Sequence, residues 1–158
     1  MDGEGRTTAP VLGRLLEAVN SHDLDSLVSC FADDYVNETP AHPRRGFLGC
    51  EQVRRNWTQI FAGVPDISAQ LPRTTVDGAT VWTEWEMSGA GADAAPFLMR
   101  GVVIFGVVND TIKSARFYLE PVDESSGDIN AATRRVLGQG RSPRQGVDMI
   151  LVAGGTGH

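Results

Sequence analysis

The chain has 158 residues, of which 41% are hydrophobic and 22% charged, a composition typical of one globular domain rather than a disordered chain. Twenty acidic against fourteen basic residues give a net charge of -6 without any basic run, so we expect no nucleic-acid partner. No apolar run approaches the roughly 18 residues of a membrane span, and the N-terminus lacks a signal-peptide pattern, which predicts no membrane partner and a cytoplasmic location.

Two short helices are predicted first, after a disordered segment over residues 1–8. Pro10 suits the first turn of a helix that extends to Asn20, and Asp23 is a suitable N-cap for the second helix. Each helix has one apolar face, formed by Val11, Leu12, Leu15, Leu16 and Val19 in the first and by Leu24, Leu27, Val28 and Phe31 in the second.

A short strand and a third helix are predicted next. The strand covers Tyr35–Thr39 and is closed by Pro40, and a loop follows over residues 41–48. The helix covers Gly49–Ala62, because Val53, Trp57, Ile60 and Phe61 fall at the spacing of one buried stripe.

The hydrophobic period then changes from that of a helix to that of a strand. Four antiparallel strands are predicted, with turn residues at Asp77–Gly78 and Asn109–Asp110 and a small-residue loop at Gly89–Pro96. They cover Ile67–Val76, Thr80–Ser88, Phe97–Val108 and Ile112–Glu120. This order predicts an α+β fold in which three N-terminal helices pack on one face of a curved antiparallel sheet.

The end of the chain follows a different pattern. Asp128 is a candidate cap for a short helix over Ile129–Leu137, and residues 138–146 are typical of a flexible linker. Met149–His158 resembles the first strand and phosphate loop of an NmrA-like dinucleotide-binding domain, but the resemblance stops before the helix that would hold a pyrophosphate. We therefore expect no NAD(P) binding. The segment is either the stump of a fusion or a frayed apolar tail.

Alternation along the predicted strands separates an apolar from a charged face. Val81, Thr83, Trp85 and Met87 share one side of their strand, and we expect this side to meet the helices. The other side carries Trp82, Tyr118 and a set of charges, namely Glu84, Glu86, Arg116 and Glu120. These charges favour cross-strand ion pairs over an acid–base cluster, and the mixture of aromatics with Arg could serve a homodimer interface.

Cysteine and histidine usage gives no metal-ligand spacing, so no metal or other cofactor is expected. Cys30 and Cys50 are interpreted as buried small apolar residues rather than a disulfide.

The order of elements resembles that of the nuclear transport factor 2-like superfamily, in its SnoaL-like branch. The resemblance covers residues 11–122 and is carried by Asn20–Asp23, Phe31–Tyr35, Val81–Trp85, Arg100–Phe105 and Tyr118–Glu120. It implies a cone with a pocket between sheet and helices, and frequently a dimer across the sheet. Members include polyketide cyclases, ketosteroid isomerases and epoxide hydrolases, so the fold alone does not select a reaction.

The resemblance also places candidate site residues. The Asp–Arg–Asp set of limonene epoxide hydrolase falls on Trp85, Met87 and Phe117, which cannot activate water, so that mechanism is not expected. Together with Trp57, these side chains either fill the core or line a site for a flat aromatic or polycyclic ligand.

Glu38 is the best remaining candidate base, because the resemblance places it at the pocket, where apolar walls would raise its pKa. The alternative is a strand-end Glu that faces water.

His42 could pair with Glu38 or act at the pocket mouth, or could be an idle loop residue. Tyr35 and Asn56 could donate hydrogen bonds to a ligand carbonyl. Arg100 could bind a carboxylate, although a cross-strand partner in Glu84 or Glu86 is the favoured interpretation.

Two functions remain open on the sequence. The first is a cofactor-free cyclase or isomerase with Glu38 as acid–base. The second is a non-catalytic module that binds an apolar metabolite or dimerises. The expected boundaries are a disordered segment at 1–8, a pocket domain at 9–122 and a C-terminal extension at 123–158.

Overall fold

The computed structural model of the chain describes residues 9–91, 96–124 and 127–138. The helices are α1 (Pro10–Ser21), α2 (Leu24–Ser29), α3 (Cys50–Gly63) and α4 (Ile129–Val136), with a short 3-10 turn at Pro43–Arg45. The strands are β1 (Phe31–Glu38), β2 (Phe47–Leu48), β3 (Ser68–Asp77), β4 (Thr80–Gly89), β5 (Phe97–Val108) and β6 (Thr111–Pro121).

The helix boundaries follow the capping chemistry of the sequence. Pro10 begins α1, and His22 ends it in the left-handed conformation with φ of 56°. Asp23 then caps α2, because its carboxylate accepts a hydrogen bond from the Ser26 N–H at 3.1 Å. The amide of Asn20 fixes the end of α1 to the sheet, since it bonds both the N–H and the C=O of Ala69. The predicted break at Asn20–Asp23 is therefore confirmed at His22 and Asp23, whereas Asn20 and Ser21 still belong to α1.

The six strands form one curved, unclosed sheet in the order β2-β1-β6-β5-β4-β3. The four strands from β3 to β6 form an antiparallel meander, as predicted. However, β1 pairs with β6 in the parallel direction, so the sheet is mixed and the prediction of an antiparallel sheet is wrong at this position. The physical reason is that β1 and β6 are joined through β2, α3 and the first three strands of the meander, a connection long enough to allow parallel pairing.

The turn between β5 and β6 also anchors the first helix. Asn109 and Asp110 have φ of 53° and 58°, as a two-residue hairpin turn requires. The Asp110 carboxylate accepts hydrogen bonds from the N–H of Val11 at 2.8 Å and from Arg14 at 2.7 Å. Asn109 and Asp110 therefore close the hairpin, and the Asp110 side chain also holds the first turn of α1 in position.

The core lies between the helices and the inner face of the sheet, by which we mean the face toward α1 and α3. The predicted alternation in β4 is confirmed, because Val81, Thr83, Trp85 and Met87 are all buried. The N-terminal helices supply the opposing apolar layer, formed by Val11, Leu12, Leu15, Val19 and Leu27.

Several other predictions have a definite outcome. The first strand begins at Phe31, four residues earlier than predicted. Cys30 and Cys50 are both free, but Cys50 is only half-buried, so its assignment to the core is wrong. Asp128 caps α4 as expected, and its carboxylate accepts from the Ala131 N–H.

Residues 1–8, for which disorder was predicted, lie outside the described residues, as do most of the predicted linker and the whole of Met149–His158. No helix in the described ranges is long and apolar enough to cross a bilayer.

Candidate functional site

A cavity lies between the inner face of the sheet and the helices. Its wall is formed by side chains from α1, α3, β1 and the last three strands, namely Leu15, Val19, Phe31, Trp57, Trp85, Met87, Val103, Phe105, Phe117 and Leu119. The space is narrow: the centre of a water molecule has about 30 Å³ available, and the empty volume, including the open mouth, is about 350 Å³. The enclosed part has room for about two water molecules, so a ring compound would have to extend into the open mouth.

The polar groups nearest to this wall are already hydrogen-bonded within it. The indole Nε1–H of Trp85 donates to Thr83 Oγ1 at 2.8 Å, and the Thr83 hydroxyl donates to the carbonyl of Val103 at 2.6 Å. These side-chain polar atoms therefore already have hydrogen-bond partners within the protein. The groups that face the cavity are aromatic rings, alkyl groups and a thioether. No carboxylate or imidazole is among the described residues that line it.

Four predicted residues meet in the cavity wall. Trp57 comes from α3, Trp85 and Met87 from β4, and Phe117 from β6. Met87 is 1% and Trp85 5% exposed, whereas Trp57 and Phe117 are half-buried. The alternation of the strands and the stripe of α3 thus placed these four side chains on the inner sides of their elements, although they did not predict the contributions of Phe31 and Leu15.

Tyr35 and Asn56 are buried but are not part of the cavity wall. The Tyr35 hydroxyl donates to Asn37 Oδ1 at 2.7 Å, and its ring makes an edge contact with Phe31 at a centroid distance of 4.8 Å. Burial raises the pKa of Tyr35 well above its usual value, so the phenol stays neutral. Asn56 accepts a hydrogen bond from Gln52 along α3.

The structure contradicts the predicted position of Glu38. Its side chain lies on the outer face of the sheet, half exposed, and bonds Arg116 at 2.6 Å. The inner positions of β1 belong to Tyr35 and Asn37, which have the opposite parity. Glu38 therefore does not line the cavity.

His42 and Arg100 also lie outside the cavity wall. The Nε2 atom of His42 is 3.1 Å from a carboxylate oxygen of Glu120, so of the alternatives left open for His42 the pairing with Glu38 is not the one found. Arg100 donates to Glu86 at 2.7 Å, which is the cross-strand pair that the sequence favoured. Arg100–Glu86 and Arg116–Glu38 are cross-strand ion pairs on the outer face of the sheet.

Sequence reasoning missed two buried polar residues on the inner face of β1. Asn37 is 4% and Thr39 2% exposed. Their signal was the alternation that begins at Tyr35, which places residues 35, 37 and 39 on one side. Because residues 37 and 39 are polar, the side that they share with Tyr35 did not look like a buried face.

Within the described part of the chain, no group of three or more His, Cys, Asp and Glu residues could hold a metal ion. Nothing in the cavity wall supplies a set of hard ligands either, since it consists of aromatic, aliphatic and thioether groups.

Comparison with known proteins places this geometry in a family. A profile described as a SnoaL-like domain matches residues 12–115, which include α1, all of β1 to β5 and the start of β6. The chain belongs to the SnoaL-like domain family. No curated protein matches the sequence, and the comparisons give no support to a dinucleotide-binding stump at the C-terminus.

Solved structures similar to this SnoaL-like domain share its fold. A ketosteroid isomerase-like protein from Catenulispora acidiphila, in complex with trimethylamine, has a TM-score of 0.61 at 18% identity and covers 71% of this chain and 87% of its own. A putative polyketide cyclase from Sinorhizobium meliloti has a TM-score of 0.55 at 20% identity, over 70% of this chain and 94% of its own.

An epoxide hydrolase of the limonene type from M. tuberculosis is also similar to this SnoaL-like domain. Its TM-score is 0.61 at 18% identity, over 83% of this chain and 96% of its own. The inward positions Trp85, Met87 and Phe117, on which the resemblance placed the water-activating set, are apolar and line the cavity.

Proposed function

We propose that this SnoaL-like domain binds a small, largely apolar ring compound in the cavity between its helices and sheet. The observation that carries the proposal is the cavity wall itself, in which Trp57, Trp85, Met87 and Phe117 converge from three different elements. Indole and phenyl faces bind flat apolar molecules, because they offer large contact areas without polar groups that would lose water.

In this function neither Glu38 nor His42 acts as an acid or base, because neither lines the cavity. A catalytic base has to lie within hydrogen-bond reach of the proton that it removes. Glu38 is instead bonded to Arg116 on the opposite face of the sheet, and His42 contacts Glu120. A cyclase or isomerase reaction that depends on Glu38 is the competing function, and it is tested below.

Ligand binding is tested by tryptophan fluorescence with 1-tetralone, a flat two-ring ketone. The chain has three tryptophans, so the double variant Trp57→Phe/Trp82→Phe reports from Trp85 alone. We expect saturable quenching in this variant. The matched control, Trp57→Phe/Trp85→Phe, reports from Trp82 on the outer face and should give no saturable change. An absence of saturable quenching at Trp85 would contradict the proposal.

Glu38→Gln separates the two candidate functions. If Glu38 has no role in the cavity, the variant binds 1-tetralone with unchanged affinity at every pH from 5 to 9. A pH dependence of binding that is present in the wild type and lost in Glu38→Gln would favour the acid–base alternative.

A second function, homodimer formation, is favoured by a separate observation. Trp82 and Tyr118 lie on the outer face of the sheet with 49% and 41% of their surfaces exposed, among cross-strand ion pairs. Aromatics and Arg are enriched in interfaces, and a face that carries both charge signs can complement a second copy of itself. We propose this face as the contact between two chains.

A further inference from the structure

The wall of the cavity has two parts that differ in their exposure. Phe31, Trp57 and Phe117 are half-buried, so they lie where the wall meets the solvent, and we call them the aromatic mouth. The remaining wall residues are buried, among them Met87 and Val103. We call this buried part the closed end.

The chemistry of the closed end favours an apolar group over water. Trp85 is the buried wall residue that has a polar side-chain atom, and its indole N–H already donates to Thr83. The Thr83 hydroxyl in turn donates to the carbonyl of Val103. An internal water molecule needs about two to four polar partners, and these side chains have none to spare.

The size of the closed end limits what can enter it. The centre of a water molecule has about 30 Å³ available there, and one water molecule needs about 10–15 Å³ of such space. This is room for about two water molecules, which corresponds to a methyl or an ethyl group. A benzene ring is larger than that and has to stay at the aromatic mouth.

The aromatic mouth suits a flat ring. Its three side chains come from β1, α3 and β6, so a ring between them is contacted from more than one side. Neighbouring rings hold two of them in position: Trp57 packs on Phe61 at a centroid distance of 5.4 Å, and Phe31 makes an edge contact with Tyr35. Aromatic faces that are already in place bind a flat guest over a large area.

We propose that the ligand of this cavity is a flat ring that carries one short apolar substituent. The ring lies among Phe31, Trp57 and Phe117, and the substituent, of methyl or ethyl size, enters the closed end beside Met87 and Val103. This inference rests on the proposed function and adds a substrate class to it. A hydroxyl group in the same place has to give up its bonds to water without gaining a partner, so it weakens binding.

Calorimetric titration of the wild type with monosubstituted benzenes tests the size and polarity of the closed end. Toluene should bind about four-fold more tightly than benzene, because one more carbon atom is buried. Ethylbenzene should bind at least as tightly as toluene. Tert-butylbenzene is more hydrophobic but too bulky, so it should bind more weakly than toluene. Phenol has a hydroxyl in place of the methyl group and should bind no more tightly than benzene.

Two matched variants on β5 test where the substituent lies. Val103 lines the closed end, whereas Val102 lies on the outer face of the sheet, opposite Tyr118. Val103→Ile adds a methyl-sized group to the closed end, so toluene and benzene should bind with nearly equal affinity. Val102→Ile should keep the wild-type ratio. Circular dichroism verifies that both variants are folded, and the wild-type series tests the inference without them.

The possible results separate this inference from the proposed function. If neither 1-tetralone nor any of the benzenes binds saturably, the proposed function fails, and the substrate class fails with it. If they bind but affinity rises with hydrophobicity as far as tert-butylbenzene, or if phenol matches toluene, the substrate class alone is overturned. A wild-type ratio of toluene to benzene affinity in folded Val103→Ile also overturns it.

Discussion

Tyr35 is the residue at which burial has its largest effect on ionisation. Burial raises the pKa of its hydroxyl well above the usual value, and the hydroxyl donates to Asn37 inside the protein. Below a pH of about 10, the phenol is neutral in both the folded and the unfolded chain, so it adds no pH dependence. Above that pH, only the unfolded chain ionises, and the free energy of unfolding therefore falls as the pH rises.

This shift predicts a specific alkaline titration. The chain has two tyrosines, so in Tyr118→Phe the absorbance at 295 nm reports on Tyr35 alone. We expect no increase at 295 nm until circular dichroism shows that the chain unfolds. An increase while the fold is intact would contradict the buried position. As a companion, Tyr35→Phe should destabilise the protein at neutral pH by about 0.5–1.5 kcal/mol, because one buried hydrogen bond is lost.

The same strand shows what residue patterns could and could not predict about the site. Trp85, Met87 and Phe117 were assigned to the inner face because their strands alternate cleanly between apolar and charged residues. In β1, the inner positions include Asn37 and Thr39, so the apolar content of the two faces is similar and the parity of Glu38 is ambiguous. The pairing of β1 with β6 also shifts register between Phe31 and Val36. Glu38 was placed at the cavity by the family resemblance, and the mixed pattern of β1 gave no clear parity that would have corrected this placement.

At the scale of the element, Gly101 allows β5 and β6 to approach closely. A Cβ atom at this position would lie 2.7 Å from the Leu119 Cα and closer still to the Tyr118 carbonyl oxygen. These are backbone atoms, so a side chain cannot be accommodated by a rotamer change. Glycine inside a strand commonly marks such a close approach.

Gly101→Ala should therefore destabilise the protein by about 1–3 kcal/mol, measured by urea unfolding, because the two central strands have to separate. The matched control is Gly13→Ala on α1, where an added Cβ meets no atom within 4 Å. That change should stabilise the protein by about 0.5–1 kcal/mol, since alanine favours a helix over glycine. Equal effects of the two variants would contradict the steric explanation.

The elements themselves were largely predictable from local chemistry. Pro10, Asp23 and Asp128 marked helix starts, and the Asn109–Asp110 pair marked a hairpin, because caps and turns depend on neighbouring residues. The parallel pairing of β1 was not predictable in this way. It depends on a contact between residues 78 positions apart, which no local pattern encodes.

At the scale of the whole molecule, the two faces of the sheet are assigned different roles. The inner face forms the cavity wall, whereas the outer face carries Trp82, Tyr118 and the ion pairs. An exposed tryptophan in this setting predicts association through the outer face. We expect sedimentation at the mass of two chains for the wild type and at the mass of one chain for Trp82→Glu.

The matched control for association is Ile129→Glu, because Ile129 is 75% exposed on α4 and lies off the sheet. This variant should sediment like the wild type. A single-chain mass for the wild type would contradict dimer formation, and loss of association in both variants would assign the contact to a different surface. Because the cavity lies on the opposite face, Trp82→Glu should leave 1-tetralone binding unchanged.

The parallel contact between β1 and β6 also has a consequence for synthesis on the ribosome. Glu38 and Arg116 are 78 residues apart, so β1 leaves the exit tunnel long before its partner exists. At translation rates of about 5–20 residues per second, the interval is about 4–16 s. During this time β1 can pair only with the two-residue β2, and the side that later packs against β6 has no strand beside it. The sheet of the nascent domain is therefore completed only when its last strand is delivered.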